Sequence, residues 1–313
     1  LTVRPSGRPG QCYRLATLIE ITLIEITLQG APMDRTRIAV LHPGDMGSAI
    51  GGDLTGQGLR VFWASGGRSE ATRRRATADG LIDRLSVGAC LDAADIVLSV
   101  CPPHAALDQA REVAGHRFHG LYVDANAISP AASREAQALI EGAGGGYVDG
   151  GIVGPPPRKA GSTRLFLSGA RSAEVARLFG KTRLEAIVLE GGVGAASALK
   201  TCYAAWTKGT WALLGAIRSL AQHEGVDAAL LAEWERSQPG LPARSEAVAL
   251  QARKAWRWVG EMHEIASAFE DAGLPGDFHR GAAALYERLG AFKDSGDQPS
   301  LDEVLAALTR KPD

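Results

Sequence analysis

The sequence predicts a doubly wound α/β domain followed by an all-α domain, and three observations carry that prediction. Short, continuously apolar runs alternate with amphipathic stretches from Arg37 onward. A glycine-bearing turn closes the first of these runs, and the runs cease near residue 192. Strands buried on both faces of a parallel sheet read as unbroken apolar segments, whereas surface helices show a period of 3.6 residues.

Taken in order, RIAVLH (37–42) is the first strand, and residues 46–57 form the helix that follows it. LRVFWAS (59–65), DIVLSV (95–100) and LYVDA (121–125) are further strands, with amphipathic segments at 105–114 and 130–141 between them. TRLFLSG (163–169) and LEAIVLEG (184–191) flank a helix near 171–180. Strand–helix alternation of this kind builds a mostly parallel sheet covered on both faces. Beyond Gly194, residues 195–223, 226–236, 241–272, 276–289 and 301–310 read as successive helices, with Gly, Pro and Asp at the breaks. The expected domains are therefore 34–191 and 192–313.

Residues 1–33 read differently. TLIEITLIEITL (17–28) repeats a short unit in which Glu20 and Glu25 interrupt the apolar stretch, which a signal peptide would not allow. This segment is expected to lie outside the fold, either disordered or not native, with Met33 as a natural start. Composition narrows the function classes. The net charge of -1 gives no field that would draw the protein to nucleic acid or to a membrane surface. No apolar run is long enough to span a bilayer. Four scattered cysteines form no CxxC pair, which argues against a zinc site and fits the reducing cytoplasm.

The turn after the first strand reads His42-Pro43-Gly44-Asp45-Met46-Gly47. A dinucleotide-binding (Rossmann) domain needs a tight turn here, a close approach of backbone to pyrophosphate, and a helix N-terminus aimed at its charge. Gly44 and Gly47 match the second and third glycines of that fingerprint, so Gly44, Asp45, Met46 and Gly47 are the expected cofactor cradle. An acid that would hold the ribose hydroxyls of NAD is missing after the second strand, where Ser65 and Arg68 stand instead. An arginine suits a 2′-phosphate, so NADP is expected, with NAD possible. Cys101 and Pro102, after the strand at 95–100, are expected alongside the cofactor.

The run GGVGAASALKTCYAAWTKG (191–209) places Lys200 early in an Ala- and Trp-rich helix. A lysine turned into a cleft between two domains loses solvation, and its pKa falls. Four segments resemble the β-hydroxyacid dehydrogenase superfamily in order and spacing: GDMG (44–47), DANAISP (124–130), VDGGIVGP (148–155) and the glycine-led run into Lys200. The resemblance extends from about Arg37 to Pro275. The second half, with YAAWTKG (from Tyr203) and EWERSQPG (from Glu233), is most similar to a bacterial branch described as phosphogluconate-dehydrogenase-like.

That resemblance implies hydride transfer between NADP and a small hydroxy acid or sugar acid, with Lys200 as general acid–base. It also implies a substrate site, for which Asn126, Gly154, Arg158 and Tyr203 are the candidates here. The chain departs from the family in several places. Ala204 replaces a common Asn, Val153-Gly154-Pro155 replaces a Ser-Gly-Gly segment, and Gly260 and Glu261 stand where lysine and aspartate are usual. An imine or ketone reductase of the same fold, or an NADP-binding protein without catalysis, are the alternatives. The substrate is expected to be anionic. A homodimer through the C-terminal helices is expected, on the apolar surface of a helix with Trp206 and Trp211 and of a second long helix spanning Ala252 to Trp258.

Overall fold

The computed structural model describes residues 36–293 and 295–310, so the expectations for 1–33 lie outside the described residues. The first half runs β1 (Arg37–Leu41), α1 (Asp45–Thr55), β2 (Arg60–Trp63), α2 (Glu70–Ala78), β3 (Ile82–Asp83), α3 (Val87–Leu91), β4 (Ile96–Ser99) and α4 (Ala106–Gly115). It continues through β5 (Leu121–Asp124), α5 (Pro130–Gly142), β6 (Gly146–Val153), β7 (Thr163–Ser168), α6 (Ser172–Arg177) and β8 (Leu184–Val188). The helices that follow are α7 (Ala195–His223), α8 (Asp227–Ser237), α9 (Leu241–Glu246), α10 (Ala252–Ala255), α11 (Trp258–Asp271), α12 (Asp277–Arg288) and α13 (Leu301–Thr309). Among them no helix is long and apolar enough to cross a membrane.

The strands form one eight-stranded sheet in the order β3-β2-β1-β4-β5-β6-β7-β8, parallel except for the β6–β7 pair. The central strands β1, β4 and β5 are buried on both sides, as doubly covered strands must be. Ile38 and Val40 enter one core with Ile50 and Leu54, while Ala39 and Leu41 enter the other with Phe62 and Tyr122. A third core joins α7 to α11, α12 and α13 around Met262, Ile265, Ala283 and Val304. The strands end at Val188 and the long helix begins at Ala195, yet Arg37–Asp313 form one compact unit.

One expected element is corrected. Residues 241–272 form α9, a 3-10 turn at Ala249–Gln251, α10 and α11 rather than one helix. The Ala249 carbonyl accepts the Gln298 side-chain amide instead of continuing an α-helical ladder, and Arg257 N–H bonds back only to Lys254. Ala252 and Ala255 are fully buried there, while Trp256 and Trp258 are partly buried.

A row of polar residues crosses the carboxyl edge of the sheet. Ser99, Asp124, Asp149 and Ser168 are register partners on β4, β5, β6 and β7, and all are buried. Asp149 accepts hydrogen bonds from Ser133 Oγ (3.0 Å), Ser168 Oγ (2.9 Å), Ser197 Oγ (2.5 Å), Gly194 N–H (2.9 Å) and Ser197 N–H (3.0 Å). The last three belong to the start of α7, whose own N-cap, Gly194, has no capping side chain. A strand carboxylate therefore caps the helix from outside and meets the positive end of its dipole. Bonds to a buried carboxylate are worth more than neutral ones, so Asp149→Asn is expected to cost about 3 kcal/mol or more in urea unfolding.

Asp124 is satisfied less fully. Its Oδ1 accepts Asn126 N–H at 3.0 Å, and its Oδ2 has no partner. Burial lifts its carboxyl to about 7, against the pull of the Asn126 N–H, while nearby Asp149 adds to the rise. Between pH 4 and 7 the folded state holds a proton that the unfolded chain has released, so this group makes stability fall as pH rises. His42 works in the opposite sense, because burial and then Arg68 lower its pKa to about 4. The two are separated by difference: the stability of wild type minus Asp124→Asn is expected to decline from pH 4 to 7 in chemical denaturation.

Candidate functional site

The turn between β1 and α1 is built for close approach. His42 takes a left-handed conformation (φ 63°), and Gly44 N–H bonds its carbonyl at 2.7 Å. A Cβ on Gly47 would lie 2.8 Å from the same carbonyl, whereas one on Gly44 would meet nothing within 4 Å. Gly47 is thus demanded by packing, and Gly44 keeps open the space over the helix end. No side chain caps α1, so its first-turn N–H groups remain available to an anion. Asp45 in that turn is paired with Arg75 at 2.9 Å, which offsets its charge, and Met46 packs onto the core.

Arg68 reaches back over this turn. Its positive charge depresses His42 and also acts on the Cys101 thiol, which burial pushes up to about 12. Its Nε is buried with no hydrogen-bond partner. Ser65 differs from expectation. It is buried, its N–H donates to Asp83, and its carbonyl accepts Arg73 Nη2 at 2.9 Å, so it braces the loop. Arg73 itself was legible in the run Arg73-Arg74-Arg75 but carries no motif that singles it out. An orphaned guanidinium nitrogen, an open glycine and an uncapped helix end all suit a phosphate-bearing dinucleotide.

Lys200 lies in the second turn of α7, at the seam with α11 and with the loop before α5. A Cβ on Gly151 of β6 would come within 2.7 Å of the Ala196 carbonyl and 2.9 Å of Lys200 Cβ. That glycine lets the helix press against the sheet. The Lys200 side chain is 16% exposed and lines a cavity of only about 10 Å³ with Ala127, Thr201, Ala204, Glu261, Glu264 and Ile265. Its Nζ is 3.5 Å from Glu261 Oε1, and Glu261 Oε2 contacts Lys208 Nζ. Burial brings Lys208 down to about 8, with Glu261 opposing and Lys200 reinforcing the shift. Lys208 went unread in the sequence, although it follows Lys200 by eight positions in the same apolar helix.

The expected substrate residues do not gather here. Asn126 is buried, its Oδ1 accepting Cys101 N–H at 2.6 Å and its Nδ2 donating to Ser99 Oγ at 3.0 Å, so it ties the β4 loop to the β5 loop. Cys101 and the exposed Pro102 therefore sit on a fixed loop. Arg158 makes a two-pronged bond to Asp79 at 2.6 and 2.9 Å, and Asp79 also accepts Ser48 Oγ. Gly154 (φ 119°) is required sterically, since a Cβ would lie 2.3 Å from the Ser162 carbonyl. Tyr203 is 45% exposed and absent from the residues lining the Lys200 cavity. In Gly151→Ala the added methyl is expected to push α7 off the sheet, lowering stability by about 1–3 kcal/mol, which calorimetry would read.

Residues 221–289 match the model of a domain of unknown function, DUF1932. An uncharacterised 28.5 kDa protein of Methanothermus fervidus is 30% identical over 172 residues, which are 55% of this chain and 66%, just under two thirds, of that protein. A conserved protein of unknown function that is structurally similar to 3-hydroxyacid dehydrogenases superposes with a TM-score of 0.64 at 27% identity, covering 82% of this chain and 98% of the other. The 3-hydroxyisobutyrate dehydrogenase of Mycobacterium tuberculosis gives 0.67 at 20% identity, over 88% of this chain and 100% of that one. A reductive aminase of Aspergillus terreus, solved with NADPH, gives 0.52 at 18% identity, over 87% and 99%. In its fold the chain is similar to the 3-hydroxyacid dehydrogenases, in keeping with the order of its motifs from Gly44 to Lys200.

Proposed function

We propose that this chain is an NADP-dependent oxidoreductase acting on the CH–OH group of a small hydroxy acid or sugar acid, with Lys200 as the general acid–base. The observation that carries the reading is a lysine shielded at the seam, on a helix whose start is fixed to the carboxyl edge of the nucleotide-binding sheet. Ligands of doubly wound sheets bind outside that edge. The nicotinamide, when bound, supplies the hydride acceptor or donor.

The remaining chemistry falls to the chain. The uncapped end of α1 and the space over Gly44 would receive the pyrophosphate, and Arg68 would pair with the 2′-phosphate. Lys200 Nζ would take the proton from the substrate hydroxyl during oxidation and return it during reduction. The Lys200 and Lys208 ammonium groups, set against Glu261 and Glu264, would be the groups that an anionic substrate meets at this seam. The outward face of α7 carries Tyr203, Trp206, Leu213 and Leu220, spaced three and then seven residues apart, and Trp206 is 63% exposed. This stripe, rather than the segment from Ala252 to Trp258, is the surface through which the chain would form a homodimer.

The reading is tested by fluorescence titration with NADPH and NADH, followed by a screen of 3-hydroxy and sugar acids with NADP+. Arg68→Ala is expected to weaken NADPH binding roughly tenfold and to leave NADH unaffected, the loss of one charge-assisted pair. Lys200→Ala is expected to lose about 100-fold or more of turnover with cofactor binding intact. Equal turnover by Lys200→Ala would overturn the role of Lys200. Consumption of NADPH only with cyclic imines would make the protein an imine reductase, and binding without turnover on any substrate a nucleotide-binding protein. Trp206→Glu is expected to halve the mass seen in sedimentation, and an unchanged mass would remove α7 from the interface.

A further inference from the structure

Three charged side chains meet where α7 passes α11. Lys200, Lys208 and Glu261 have side chains only 16%, 13% and 11% exposed. Their single carboxylate is shared unequally: one oxygen contacts Lys208 Nζ, and the other stands 3.5 Å from Lys200 Nζ without making a hydrogen bond. A second carboxylate, that of Glu264, lines the cavity beside Lys200. Glu264, also on α11, is committed to Ser129 N–H at 2.9 Å. Tyr286 of α12 gives its hydroxyl to the Lys208 carbonyl, and the Trp258 ring lies 5.8 Å from Lys208 Nζ. The sheet contributes Gly151, and the loop before α5 contributes Ala127.

A buried carboxylate that loses one cationic partner turns to the nearest other, because an unpaired buried charge is costly. We infer that Lys208 is a positioning residue that acts through Glu261: by engaging that carboxylate it keeps Glu261 from closing on Lys200, and so leaves the Lys200 amine free to exchange a proton. This rests on the reading of Lys200 as the proton carrier. Burial opposes the ionisation of Glu261, yet Lys208 and then Lys200 hold it below the usual carboxylate range, so it remains an anion that must be paired. Lys208, brought down to about 8, gives up its charge just above neutral pH. As pH rises past that value, the carboxylate is released towards Lys200.

The test needs no substrate and no turnover, so it stands even if the dehydrogenase reading fails. Cyanate carbamylates only neutral amines and is small enough to approach a shielded one. Its rate at Lys200 is read by peptide mass spectrometry against exposed Lys181 in the same protein. At pH 7, Lys208→Met is expected to slow Lys200 carbamylation about tenfold, and Lys208→Arg to leave it near wild type. The double variant Lys208→Met/Glu261→Gln is expected to restore it, a coupling that a packing defect would not produce. Between pH 7 and 9 the wild type is expected to converge on Lys208→Met. The inference falls if Lys208→Met changes nothing, if Lys208→Arg slows the reaction as much, or if the double variant stays slow. Should Lys208→Met fail to fold, Glu261→Gln alone decides: a rate at or above wild type supports the inference, and a lower one overturns it.

Discussion

Asp149 is where the two halves of the chain are joined chemically. Its carboxylate receives five donors, from α5, from β7 and from the first turn of α7, with no solvent contact. Burying an ion costs several kcal/mol unless hydrogen bonds replace its hydration, and here they do so completely. The helix gains a cap that its own sequence lacks, since Gly194 brings only the backbone freedom (φ 101°) needed to turn from β8 into α7. Once that first turn is fixed, Lys200 is fixed too, one turn further along and held close by the bare backbone of Gly151.

Beside this junction, the polar row along the strand ends divides its labour. Ser168 passes a hydrogen bond on to the helix by accepting Ala196 N–H, whereas Ser99 and Asn126 hold the loops after β4 and β5 together. Further out, Arg158 clasps Asp79 while Ser48 donates to the same carboxylate. The β6–β7 connection is thereby anchored next to the first helix. These contacts use side chains that could have faced a ligand, and they spend them on making the floor of the crevice stiff.

Much of this was legible beforehand because it rests on local rules. The apolar runs of β1, β4, β5 and β7 and the unbroken helix from Ala195 to His223 declare themselves by period and by bounding glycines. The β1–α1 turn did so through Gly44 and Gly47. Strand β6 was harder, because its Gly150 and Gly151 weaken strand propensity and are explained only by what packs on them. The helix expected across 241–272 failed for a related reason, a distant Gln298 taking a helical carbonyl. Asn126 and Arg158 showed suitable chemistry, but their partners Cys101 and Asp79 lie 25 and 79 residues away, and no spacing rule reveals such pairs. Lys208 and Glu261 were hidden likewise: their meaning comes from a meeting of α7 and α11 that only the tertiary fold creates.

The bond from Ser129 N–H to Glu264 carries a further implication. It draws α11 onto the loop before α5, and the space left beside Lys200 holds about one water molecule. A molecule larger than water does not fit that cavity while the clasp is made. Loosening of the Ser129–Glu264 bond is the local change that would widen this space, and its frequency would then limit turnover at Lys200.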